Sequence, residues 1–143
     1  MNNLWPSLSS SNPGDSNTPK SILIHQAKEL ERASDTKFSG IVVTTTIKAR
    51  FDKKFEGSDV FQHEFSVVIP DLDYSFTLLT LSHKIIEIYP CHVESDIVFV
   101  ATIVKNESEL LDLLKTIFND KETVRILKSI MFQLNAEEDA KDF

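Results

Sequence analysis

Four histidines and one cysteine are the side chains of this sequence best suited to nucleophilic, acid–base or metal chemistry: His25, His63, His83, His92 and Cys91. No two histidines stand three or four residues apart, so a helical metal pair of the H-x-x-x-H kind is absent. A single cysteine supports neither an intramolecular disulfide nor a cysteine-based zinc site. His63 alternates with Phe61 and Phe65, which places it on an apolar strand face and reads as a core histidine. His92 follows Cys91 directly, and neighbours on a strand point to opposite faces. A Cys–His nucleophile would therefore have to bring His25, His63 or His83 to Cys91 from a distance. No serine, Ser82 beside His83 included, lies in a G-x-S-x-G elbow. Asp71 with Asp73, and Glu94 with Asp96, read as turn acids in loops beside strand ends. An acidic nuclease-like motif opening at Pro70-Asp71 is not completed, because Glu87-Ile88-Tyr89 contains no lysine. Three glycines in the whole chain argue against a phosphate-cradling loop. The residues thus predict no catalytic centre, no cofactor and no metal.

Binding surfaces offer more. Lys48, Arg50, Phe51, Lys53, Lys54 and Phe55 interleave cations with aromatics, the pattern that single-stranded nucleic acid favours. Asp52, Glu56 and Asp59 dilute it, and a solvated hairpin whose Phe51 and Phe55 fold back over the sheet edge is the favoured account. Nucleic acid is not the expected partner, and Lys53 and Lys54 are its one candidate patch. Glu107, Glu109, Asp112, Asp120 and Glu122 gather around the two C-terminal helices. The backbone dipole favours acids near helix starts, yet Glu109 and Asp112 also suit a basic protein partner. Trp5, in Leu4-Trp5-Pro6, is an aromatic anchor of the kind a partner's pocket accepts.

The elements that position these residues follow from periodicity. Thr18 before Pro19 opens a helix over 19–34, with Leu23, Ala27 and Leu30 on one stripe. The period then becomes two: Ile41, Val43, Ile47 and Ala49 share one face of a strand, and Val42, Thr44 and Thr46 the other. A second strand carries Phe61, Phe65, Val67 and Ile69. After a turn at 70–73, a third runs over 74–82 with Tyr74, Phe76 and Leu78 on one side, and Ser82-His83 is a tight turn. Ile85 to Tyr89 reads as a fourth strand and Ile97 to Val104 as a fifth, apolar enough to be covered. Asn106 with Glu109, and Asn119 with Glu122, cap two closing helices. The expected fold is α+β: an N-terminal helix, a five-stranded, mainly antiparallel sheet, and a C-terminal helical hairpin packed on one sheet face. Phe65, Phe76, Leu114 and Leu127 are expected in the core. Residues 1–17 read as a disordered arm, 18–135 as one domain and 136–143 as an acidic tail.

The formal net charge is −7 over 143 residues. The last eight residues supply −3 and Asp15 supplies −1, leaving −3 on the domain, a poor match to phosphate-backbone binding. The lone cysteine, the lack of an apolar run of membrane length and the lack of a signal-like start point to a cytoplasmic protein. The functional expectation is a non-catalytic protein-binding module of acidic inhibitor, immunity or regulatory type, recognising a basic surface. The alternatives are a small-molecule binder with an apolar pocket between sheet and helices, and an enzyme whose His/Cys site assembles non-locally.

Overall fold

The computed structural model describes residues 3–8, 17–48, 55 and 57–141, with side chains as far as 136. It contains α1 (Pro19–Ala33), β1 (Ser39–Ile47), β2 (Val60–Ile69), β3 (Tyr74–Lys84), β4 (Cys91–Ser95), β5 (Val100–Val104), α2 (Glu107–Phe118) and α3 (Lys121–Lys141). The five strands form one antiparallel sheet in the order β1-β2-β3-β4-β5. The class is α+β, with the helices before and after the strands as the residue pattern predicts.

Local chemistry sets the helix ends. The Thr18 hydroxyl accepts from the Ser21 amide, and Pro19 occupies the first helical position, where a missing N–H costs nothing. At α2 the Asn106 side chain accepts from the Glu109 amide at 2.9 Å, while the Glu109 carboxylate accepts from the Lys105 amide at 2.7 Å. Such caps contribute about 1 kcal/mol each. The start of α3 differs from expectation: Asp120, not Asn119, accepts from the Glu122 amide, and Asn119 instead ends α2 by donating to the Lys115 carbonyl. α3 also continues to Lys141, past the Asn135 at which the sequence pattern ends it.

One sheet face carries the core. Leu23 and Ala27 of α1, Phe65 and Val67 of β2, Leu79 and Leu81 of β3, Val93 of β4, and Leu110, Leu114, Ile117, Ile130 and Leu134 of α2 and α3 form one buried cluster. Of the four expected core residues, Phe65 and Leu114 are buried, and Phe76 and Leu127 are partly buried against the same cluster. The parity of β1 has a steric cause. Gly40 lies under α1, where a Cβ would meet Ala27 Cβ at 2.5 Å. Gly40, Val42 and Thr44 therefore face the helices, and Ile41 and Val43 face away, 48% and 50% exposed.

Three strand expectations are corrected. Ser82-His83 is not a turn; β3 runs through both to Lys84. Residues 85–90 are not a strand but a turn and loop with a cis Tyr89–Pro90 bond, and the fourth strand is Cys91–Ser95, which takes Glu94 out of a loop. The cause is a side chain: the His83 ring takes the Lys84 and Glu87 carbonyls, and Glu87 N–H bonds back to Lys84 O, so the backbone groups a strand would pair are used locally. The fifth strand begins only at Val100, after a turn in which Phe99 has φ 57°, and it is an edge strand rather than a covered one.

Candidate functional site

A histidine pair assembles on the helix-facing side of the sheet. Register places Thr44 of β1 directly opposite His63 of β2, and His63 opposite Leu81, one pleat from His83. A bulge makes the pair possible. From the turn, Ile69 pairs Tyr74 and Ser66 pairs Thr77; Leu78 is then skipped, so Phe65 pairs Leu79. Without that extra residue His83 would oppose Val60 and point to the other face, because side chains alternate with a period of two. The bulge also brings the Leu78 carbonyl to the Ser95 hydroxyl, which donates to it at 2.7 Å.

With both rings neutral, the contacts fit one arrangement of protons. His83 Nδ1 lies 2.7 Å from Lys84 O and 3.0 Å from Glu87 O. Carbonyls only accept, so Nδ1 carries the proton, and in the neutral ring Nε2 offers a lone pair. His63 Nε2 stands 3.0 Å from His83 Nε2 and must donate to it. His63 Nδ1 then accepts from the Thr44 hydroxyl at 2.8 Å. The relay runs Thr44 to His63 to His83 to two carbonyls, every group satisfied with both rings neutral. Both rings are buried, at 2% and 7% exposure. Burial first, then the neighbouring His83 and Lys20, lowers His63 to about 4. The pair borders an open cavity of about 370 Å³, with Thr18, Lys20, Phe61, Ile85 and Ile88 around it.

Cys91 does not join the histidines. It is buried, its thiol donates to Ile88 O at 3.1 Å, and burial pushes it up to about 12. A thiol held protonated is a poor nucleophile. Tyr89 is also raised to about 12, by burial and then by Cys91 and Glu107, and its hydroxyl is buried with no hydrogen-bond partner among the described residues. His92 pairs with Glu94 at 3.2 Å on the opposite sheet face, and His25 with Glu29 at 3.7 Å on α1. Among the described residues no three His, Cys, Asp or Glu side chains converge as a metal cage would require.

The remaining candidates sit apart from the pair. Glu109 and Asp112 are exposed on α2, and Trp5 is 76% exposed. Arg50, Phe51, Lys53 and Lys54 lie outside the described residues; Lys48 bonds Asp59 at 3.5 Å. Between α1, the sheet and the α2–α3 junction lies a recess of about 220 Å³, floored by Phe65, Val67 and Leu78 and flanked by Phe118 and Leu127.

Among the described residues no helix packs on the other sheet face, although Ser82 at its centre is buried. Two rows cross all five strands: Thr45, Gln62, Ser82, His92, Ile103, and Val43, Glu64, Thr80, Glu94, Ala101. The centre is polar and acidic; the margins are apolar, with Ile41 and Val43 on one edge and Ile103, 59% exposed, on the other. No described helix is long and apolar enough to cross a membrane. No protein-family model, curated protein or solved structure matches the chain.

Proposed function

We propose that the protein is a non-catalytic protein-binding module of a reducing, cytoplasmic compartment, and that its partner docks on the sheet face away from the helices. The observation that carries this reading is the arrangement of that face: Ile41, Val43 and Ile103 are half exposed at its margins, with Glu64 and Glu94 between them. Four strand spacings separate the margins by about 19 Å. A complementary partner presents a basic centre flanked by apolar side chains, in keeping with the chain's net charge of −7. Glu109 and Asp112 extend the acidic character to α2, where they assist encounter rather than contact.

A photo-crosslinking residue at Val43, compared with one at Asp112, tests this. The expected result is a protein adduct from Val43 that disappears when Ile41→Asp is added and weakens with salt. Those variants leave the fold intact, because both positions are already half exposed. Adducts from Asp112 alone, or recovery of nucleic acid lost on Lys53→Glu and Lys54→Glu, would overturn it.

The recess floored by Phe65 and Val67 favours a second reading, a small apolar ligand. A buried apolar cavity of roughly 150 Å³ is enough for benzene, so about 220 Å³ suits a ligand near indole in size. Saturable binding of indole, abolished by Ala33→Trp, would favour that reading over the first.

A further inference from the structure

We infer that His63 and His83 form a two-histidine site for one divalent transition-metal ion of the type imidazole favours, copper, nickel or zinc, held between their Nε2 atoms. The separation of the two Nε2 atoms suits two ligands on one ion, with each ring turning from its present hydrogen-bonded, nearly head-on position so that both lone pairs meet the metal. Imidazole nitrogen binds zinc at about 2.0–2.1 Å, so nitrogens 3.0 Å apart subtend about 94°, and opening the pair to about 3.3 Å reaches the tetrahedral angle.

The outer shell is already built. A metal-bound histidine donates its other ring N–H to an acceptor that fixes the ring. His83 Nδ1–H does so to Lys84 O and Glu87 O, and His63 Nδ1 faces the Thr44 hydroxyl, which accepts as readily as it donates. Both rings are held on strands or by a turn, and both border the cavity through which an ion enters.

Binding requires no net proton release. In the metal-free pair one proton sits between the two Nε2 atoms, on His63. When the ion enters, that proton moves to His63 Nδ1 and is donated to Thr44, whose own hydroxyl hydrogen turns to solvent. Both Nε2 lone pairs then face the metal. Among the described residues the site has two ligands and no carboxylate. Both histidines line the cavity together with Lys20, so water or a small anion from it completes the shell.

The test uses the full chain, stripped with chelator and titrated with copper(II) sulfate. Calorimetry should give one ion per chain, with the same heat in buffers of different ionisation enthalpy. In the NMR spectrum the ring protons of His63 and His83 should broaden before those of His25 and His92. Thr44→Val, which keeps β1 intact, should weaken affinity by about 10–100-fold. Broadening that begins at His92 or His25, unchanged affinity in Thr44→Val, or no saturation below millimolar copper would each overturn the site.

Discussion

Ala27 of α1 rests on Gly40 of β1 so closely that a methyl group at Gly40 would lie 2.5 Å from the Ala27 Cβ and 2.7 Å from its Cα. The second atom is backbone, so relief requires the helix itself to move. Gly40→Ala is therefore expected to destabilise the fold by about 1–3 kcal/mol, the range for overpacking a tight contact. Urea unfolding measures it. The helix partner cannot be trimmed without introducing glycine, so Ala27→Gly combined with Gly40→Ala should recover part of the loss and leave a helix-propensity cost of about 1 kcal/mol.

The His63 ring predicts how stability changes with pH in chelator-treated protein. Its native value is lowered to about 4 from an ordinary 6.5, so between those values the unfolded chain binds a proton that the folded chain refuses. Stability is full above about pH 6.5 and falls as the pH drops toward 4, by at most about 1.4 kcal/mol per pH unit for one proton. Chemical denaturation at half-unit pH steps should show this slope, and His63→Gln should flatten it.

Cys91 should be inert in the folded protein. With the thiol pushed up to about 12 and donating to Ile88 O, almost no thiolate exists at pH 8. Iodoacetamide should label the native chain only at the rate of unfolding, and label it fully in guanidinium chloride. Rapid native labelling would place the thiol at the surface.

Tyr89 holds a buried hydroxyl with no hydrogen-bond partner among the described residues. An unsatisfied buried polar atom costs about 1–3 kcal/mol, so Tyr89→Phe should be neutral or stabilising, an unusual sign for a core truncation. A thermal midpoint several degrees lower would reveal a partner for the hydroxyl.

What was legible in the sequence was local. Thr18 before Pro19, and Asn106 before Glu109, announce their helices because the capping groups lie within four residues of what they cap. The strands around residues 82–100 were misplaced because their limits are set across space. His83 withdraws two carbonyls from strand pairing, and Ser95 binds the Leu78 carbonyl at the bulge. The alternation Tyr74, Phe76, Leu78 continues evenly in the sequence and points His83 away from His63. The skipped residue at Leu78 reverses that parity, and nothing in the residue types marks it. Hence each histidine was identifiable alone, while their pairing was not. The parity of β1 was hidden for a related reason: its apolar residues, Ile41 and Val43, lie on the face away from the helices, and the small Gly40 decides which side the helix takes.

The strand order that follows the chain order has a kinetic meaning. Each strand pairs only with its immediate predecessor and successor, and α1 packs on β1, the next element along. Few loops have to close over long stretches of chain before contacts reward them, so the entropic barrier to folding is low for a sheet protein. The longest closure between paired strands is the link from β1 to β2; the other strand links are much shorter. Assembly can therefore proceed in the direction of synthesis, with α1, β1 and β2 already in register before the residues of α2 and α3 leave the ribosome.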